Sequence, residues 1–279
     1  MASDADLEAH ARKQALRGVF DRAAGIYDGV RYFPILGSWL VELAEIPAGA
    51  HVLDIACGRG AALFPATERV GADGRVVGID LSEHMVRETT ATARTLGLAQ
   101  VELLQMDAER LDFPDASFDL VLCGFSLQFL PHLDEALAAF RRVLRPGGRL
   151  AVTTWGEDDA RWAWFDELRA AYDAVVKLRS QTLERPDELV ARLGEARFEV
   201  VRVVTRELEM VYPNEEEWWQ MQWSISGRAG MERLAPARLA KFKDEVFARM
   251  QALREPDGFH DRLTARCTIA RSPRAPFAG

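Results

Sequence analysis

VLDIACGRG, residues 52–60, decides how this chain folds. The apolar residues around Asp54 read as a short buried strand over 51–56, and Gly58 and Gly60 let the chain turn from that strand into a helix of about residues 61–70. A glycine loop between strand and helix is where open α/β sheets bind nucleotides. A third glycine at 63 would complete the dinucleotide fingerprint, but residue 63 is leucine. Asp54, four residues before the first glycine, would repel a pyrophosphate and suits a ligand that carries positive charge.

The same rhythm continues outward. Arg75–Asp80 reads as a second strand, and Ser82 can cap a helix that runs to about Leu96. Val101–Met106 and Phe118–Cys123 are further strands. Leu133, Leu137, Phe140 and Leu144 mark one helical face, and Arg149–Trp155 is a fifth strand. Strands alternating with helices at this spacing predict an α/β fold with a doubly wound, mainly parallel sheet. Asp54, Asp80 and Asp107 then stand at the carboxyl ends of three successive strands. S-adenosylmethionine, with a sulfonium, an α-ammonium and no phosphate, matches that charge pattern. Asp80 can accept from both ribose hydroxyls. Asp107 can accept from the adenine amino group, with the Ala108 N–H available to the ring. Ala56, Leu81 and Cys123 complete the candidate cofactor set.

VLDIACGRG (52–60), VVGIDLSEHMV (76–86), QMDAERLDFPDASFDLVLC (105–123) and RRVLRPGGRLAVTTW (141–155) resemble the successive motifs of class I S-adenosylmethionine-dependent methyltransferases. The likeness is greatest to the small-molecule branch that includes ubiquinone/menaquinone-biosynthesis C-methyltransferases and bacterial natural-product enzymes. The resemblance implies a Rossmann-like, seven-stranded sheet with an antiparallel last strand, for which Thr264–Ala270 is the candidate. FDRAAGIYD (20–28) also resembles that branch, which implies that Tyr27 closes over the cofactor. The fourth strand ends Leu122-Cys123-Gly124-Phe125. It lacks both the Asn/Asp-Pro-Pro-aromatic motif of base-amine enzymes and the metal-binding carboxylate of catechol-type enzymes, so neither a base-amine acceptor nor a metal is expected.

After residue 155 the rhythm changes. Helices are expected at 160–178, 186–194, 214–226 and 235–253, with strands at Phe198–Leu208 and Thr264–Ala270. The expected segments are an N-terminal helical lid (1–46), a cofactor-binding core (47–156), linking helices and a sixth strand (157–210), a helical substrate cover (211–262), and a last strand with a loose tail (263–279). Six of the seven tryptophans lie between Trp155 and Trp223, which suggests a substrate cover. Such rings can equally pack an insertion against the sheet.

Methyl transfer is an in-line displacement, so holding the acceptor in place can supply much of the catalysis. His132, in the loop after the fourth strand, is the best-placed base, although a plain loop histidine is also consistent with its setting. Gln128 can orient cofactor or acceptor. Phe125, Phe129, Trp155, Trp219 and Trp223 are the candidate acceptor walls. His51 starts a strand at the opposite edge of the sheet, and His260 could reach in from the insertion. The basic run Arg228, Arg233, Arg238, Lys241 and Lys243 could bind an anion or simply face solvent among Glu232, Asp244 and Glu245.

Composition narrows the alternatives. The 279 residues are 48% hydrophobic and 28% charged, which excludes a disordered, collagen-like or disulfide-scaffold chain. A net charge of −8 weighs against a nucleic-acid partner. Cys57, Cys123 and Cys267 make no C-x-x-C pair, and a reduced, cytoplasmic setting is expected. No apolar run approaches the roughly 20 residues of a membrane span, and the amino terminus carries no secretory h-region. The expected function is metal-independent methyl transfer from S-adenosylmethionine to an oxygen, nitrogen or carbon atom of a mostly apolar small molecule, in natural-product or quinone-type metabolism. The alternative is a fold relative that uses the same pocket for a cyclisation or rearrangement. A nicotinamide oxidoreductase and a non-enzymatic binding module fit the motifs less well.

Overall fold

The computed structural model describes residues 4–181, 183 and 185–274, so the end of the expected loose tail lies outside the described residues. The chain forms two compact units. The sheet unit holds Arg31–Trp155, Arg179–Thr205 and Ala265–Gly279; the aromatic unit holds Met1–Val30, Gly156–Leu178 and Arg206–Thr264.

In the sheet unit β1 (His51–Ile55), β2 (Arg75–Asp80), β3 (Val101–Gln105), β4 (Phe118–Gly124) and β5 (Leu144–Trp155) are parallel. β6 (Glu199–Tyr212) and β8 (Gly258–Arg271) each pass from one unit to the other along their length. The seven long strands run in the order β3-β2-β1-β4-β5-β8-β6. β8 is antiparallel to β5, with Arg149 opposite Arg271 and Trp155 opposite Ala265, as the resemblance implies. β7 (Arg254–Glu255) forms a short hairpin with the start of β8.

Helical periodicity builds the layers. α5 (Leu133–Val143) buries Leu133, Ala136, Leu137, Phe140 and Val143, a single stripe. That stripe meets Leu53, Ile55, Val77, Ile79 and Val121 of the sheet, together with Leu189 and Leu193 of α7 (Pro186–Glu195). α3 (Leu63–Val70) follows the glycine loop, and α4 (Glu83–Thr95) starts where the Ser82 hydroxyl accepts the Met85 N–H at 3.1 Å. The sequence reads as a helix from about Gly37 to Ile46, and α2 (Tyr32–Ala44) begins earlier. Pro34 falls in its first turn, where a missing N–H costs no helical bond. α2 belongs to the sheet unit, whereas α1 (Asp4–Ala23) belongs to the aromatic unit. At the amino edge, Asp119 accepts the His51 N–H at 2.8 Å and an Arg145 N–H at 2.5 Å, joining the starts of β1, β4 and β5. His51 therefore stands away from the carboxyl edge, as expected.

The aromatic unit also contains α6 (Ala163–Ala171), α8 (Glu215–Ser224), α9 (Arg228–Met231) and α10 (Pro236–Met250). Trp162 stacks on Trp218 at 4.8 Å and 10°, and Phe165 meets Trp218 edge-on at 4.8 Å. The helix expected over 160–178 stops at Ala171, and Asp173 takes a left-handed backbone at φ 57°. β8 starts at Gly258, before the expected Thr264, and its first residues, Gly258 and Phe259, pair with Glu255 and Arg254 of β7 in a hairpin. Among the described residues no helix is long and apolar enough to cross a membrane.

Phe140 is fully buried beneath the sheet, whereas Leu96 is 59% exposed. Phe140→Ala is expected to lower unfolding free energy by about 3–5 kcal/mol, and Leu96→Ala by under about 0.5 kcal/mol. Urea denaturation of the two variants checks this.

Candidate functional site

The strand register gathers the acidic residues. Asp54 lies opposite Gly78 of β2 and Leu122 of β4, in the middle of the sheet. Asp80 closes β2, and its carbonyl accepts the Met106 N–H at 3.0 Å, which brings the end of β3 and Asp107 alongside. Asp107 accepts the Glu109 N–H at 3.0 Å, and Gln105 donates to the Leu81 carbonyl at 3.2 Å. The ends of β1, β2 and β3 thus present their carboxylates along one edge.

The glycine loop is fastened from two sides. Asp80 accepts the Gly58 N–H at 2.9 Å and the Ser82 N–H at 2.8 Å, one on each carboxylate oxygen. Each oxygen keeps further lone-pair capacity toward a ribose hydroxyl. The Thr89 hydroxyl of α4 donates to the Gly58 carbonyl at 2.7 Å. Sequence reasoning missed Thr89, since nothing local ties a helix interior threonine to a loop 31 residues away. Gly60 has φ 87°, and a Cβ there would collide with the Phe64 ring. Gly37 lets α2 cross directly over the loop, because a Cβ at that position would strike the Ala61 carbonyl.

Asp54 is 2% exposed, and its Oδ2 has no hydrogen-bond partner. Burial first, and the nearby Asp80 charge second, push its carboxyl up to about 8, with the Leu63 N–H opposing. The Cys57 thiol is raised by burial and by both aspartates. Cys123 is fully buried in the hydrophobic core, and its thiol is pushed up to about 12, chiefly by burial. Its side chain sits 2.9 Å from the Ser126 hydroxyl, so it can serve a ligand only through its backbone.

The ends of β4 and β5 differ in character. Phe125 stacks on Trp155 at 4.0 Å and 23°. Tyr32 meets Trp155 edge-on at 5.7 Å, and Phe33 lies 6.1 Å from Phe125. Tyr32 and Phe33 were missed because the sequence reading left them in a loop before α2. Ala56 (φ 52°) and Phe125 (φ 53°), beside the ends of β1 and β4, both hold left-handed backbone, a conformation that clusters at functional sites. Gln128 and Phe129 are half-buried in the loop that follows, and the Gln128 side chain donates to the Phe125 carbonyl at 3.3 Å. His132 caps α5, and its N–H donates to the Glu109 carboxylate at 2.8 Å. That bond fastens the His132 backbone to the loop after Asp107.

The remaining candidates lie in the aromatic unit. Tyr27 sits in a short 3-10 turn with its ring 6.1 Å from Phe20. The Ser224 hydroxyl at the end of α8 donates to the Ile26 carbonyl at 3.2 Å, so this turn and α8 are joined. Trp219 and Trp223 share one face of α8, 6.3 Å apart. Trp219 is buried against Phe242 and Phe247, whereas Trp223 is half-exposed. In the basic run, Arg228 pairs with Glu232, Arg238 with Asp173, and Lys243 with Glu216. His260 stands between Asp257 (2.9 Å) and Glu209 (3.2 Å), and the Asp257 bond raises its pKa. Its ligand atoms and those of Glu255 and Asp257 lie within 4.8 Å of one another.

Residues 52–148 match the methyltransferase domain family. Nocamycin O-methyltransferase of Saccharothrix syringae is 36% identical over 246 residues, covering 82% of this chain and 88% of that protein. The chain belongs to the S-adenosylmethionine-dependent methyltransferases. The ubiquinone/menaquinone biosynthesis C-methyltransferase UbiE of Methylococcus capsulatus is 35% identical over 231 residues, covering 80% of this chain and 86% of that protein. Among solved structures, a SAM-dependent methyltransferase from Aquifex aeolicus superposes with TM-score 0.50 at 25% identity, over 60% of this chain and 82% of that one.

The residues fit this cofactor. The orphaned Asp54 oxygen calls for a cationic neighbour, the Asp80 carboxylate is an acceptor suited to a diol, and the glycine loop is held open beside them. When bound, S-adenosylmethionine supplies a methyl group activated by its sulfonium. Asp54 would compensate positive charge, Asp80 would hold the ribose, and Asp107 with the Ala108 N–H would hold the adenine.

Asp80→Ala is expected to weaken binding of S-adenosylhomocysteine by about 10- to 150-fold, from loss of about 1.5–3 kcal/mol in charge-assisted bonds. Thr89→Val keeps the shape and removes one bond of about 1 kcal/mol, for a loss of roughly fivefold. Isothermal calorimetry measures both.

Proposed function

We propose that the methyl acceptor is a mostly apolar small molecule with a reactive oxygen or carbon, of the natural-product or quinone type. The observation that carries this is the wall of Tyr32, Phe33, Phe125 and Trp155 at the ends of β4 and β5, set against the acidic ends of β1 to β3. An apolar wall excludes water and favours reaction of a cation with an electron-rich acceptor as charge is lost. The relatives' activities, O-methylation and C-methylation, support methyl transfer over a cyclisation in the same pocket. Phe129 and Trp223 extend the acceptor candidates, and Gln128 orients the acceptor. Tyr27 is assigned to the cofactor on the resemblance of its motif. The net charge of −8 fits a small molecule better than a nucleic acid. Three buried, free cysteines fit a reducing cytoplasm.

Catalysis in this reading comes mainly from position. The Phe125–Trp155 stack confines the acceptor, and no strong base is required when the methyl group is already activated. Incubation with methyl-labelled S-adenosylmethionine and fractionated source-cell extract should label an apolar small product carrying one added methyl. Label confined to protein or nucleic acid would contradict the reading. With the acceptor so identified, His132→Ala should lower kcat by about 10-fold, against the 10²–10⁴ of a lost general base. A drop beyond a thousandfold with cofactor affinity intact would make His132 the base.

A further inference from the structure

We propose that Ser180 and Gln181 form a strap that positions the middle of the acceptor loop. This rests on the proposed acceptor site, since the loop between β4 and α5 carries Phe125, Gln128, Phe129 and His132. That loop holds one short 3-10 turn, Leu127–Phe129, and otherwise has no regular structure to satisfy its carbonyls. Its ends are fixed by β5 and by the loop after β3. The Phe125 N–H donates to the Thr153 carbonyl of β5 at 3.0 Å, and the His132 N–H donates to Glu109 at 2.8 Å.

The middle is held from a segment some 50 residues away in sequence. The Gln128 carbonyl accepts two N–H groups, from Ser180 at 2.7 Å and from Gln181 at 3.1 Å. The Gln181 side-chain amide then donates to the Leu130 carbonyl at 3.3 Å, with the Pro131 carbonyl at 3.5 Å. The strap is itself anchored. Leu183, Leu189 and Leu193 join the hydrophobic core that α5 also enters, so strap and loop share one rigid base. Arg192 of α7 pairs with Asp134 at the start of α5 at 2.9 Å, tying the helix that follows the strap to the helix that follows the loop.

Gln181 is therefore a positioning residue: its hydrogen bonds go to the Gln128, Leu130 and Pro131 carbonyls rather than to the acidic row or the aromatic stack. It holds the backbone from which Gln128 and Phe129 project. The cofactor residues depend on β1, β2, β3 and α4, none of which the strap contacts through these bonds. Loss of the strap should thus separate acceptor handling from cofactor binding.

The test uses the full chain with Gln181→Ala, which removes the side-chain donor, and Gln181→Lys, which restores a donor at that place. Amide hydrogen exchange is read for residues 125–132, with Gly58 and α5 as internal references. Gln181→Ala should speed exchange in the loop about fivefold or more, leave the references within twofold, and bind S-adenosylhomocysteine within twofold of wild type. Gln181→Lys should return loop exchange to within twofold. In methyl transfer to 1,4-naphthohydroquinone as probe acceptor, Gln181→Ala should raise KM for the probe or lower kcat about fivefold, with KM for S-adenosylmethionine unchanged. Unchanged loop exchange in Gln181→Ala, or equal acceleration at Gly58 and α5, overturns the strap. A wild-type protein that binds S-adenosylhomocysteine but leaves the hydroquinone unmethylated counts against that acceptor class, while the exchange result still decides the strap.

Discussion

A carboxyl group buried without a counter-charge is the constraint around which this fold is arranged. Asp54 lies in the central part of the sheet because β1 pairs with β2 on one side and β4 on the other. Its Oδ2 meets no donor. Burial disfavours the ionised form and pushes this carboxyl up to about 8. The consequence for stability has a definite sign. A folded-state value raised above that of the unfolded chain contributes stability at low pH, and that contribution is lost as pH rises through about 8. A cationic ligand reverses the balance by favouring the carboxylate. In the proposed cofactor site Asp54 would thus favour a positively charged group before any contact with the rest of a cofactor is counted.

The remaining bonds hold that selectivity in place. Asp80 and Thr89 grip the amide and carbonyl of the same residue, Gly58, so the loop cannot close over the orphaned oxygen without breaking one of them. Backbone fixed in this way costs no reorganisation when a ligand arrives. On the other side of β1 the chemistry changes to stacked rings, with Phe125 and Trp155 in contact at 4.0 Å. A reaction that turns a cation and an electron-rich acceptor into less charged products gains from that contrast.

Much of this was legible from order along the chain. VLDIACGRG announced a strand, a glycine turn and a helix, and the spacing of Asp54, Asp80 and Asp107 placed three carboxylates at successive strand ends. Local periodicity also located α5, because its buried residues follow one stripe. What escaped was set by tertiary contact. Thr89 looks like any helical threonine until α4 brings it to Gly58. Tyr32 and Phe33 escaped because the sequence reads as a helix only from about Gly37, although Pro34 in a first turn can start a helix earlier. Gln181 carries no motif, and its role depends on a fold that returns it to a loop 50 residues earlier. Trp219 shows the limit of counting aromatic residues, since its ring is buried in its own unit.

The central claim is that Asp54 gives the cofactor pocket its preference for a cation. Calorimetric titration of S-adenosylmethionine into the wild type and Asp54→Asn, between pH 6 and pH 9, tests it most directly. With the Asp54 carboxyl near 8 in the free protein, binding should release a proton below that pH. Wild-type affinity should then rise with pH, by at most about tenfold per unit, and level off above about 8. Asp54→Asn should bind more weakly at pH 9 and lose that dependence. Equal affinities and the same pH profile in both proteins would contradict the account.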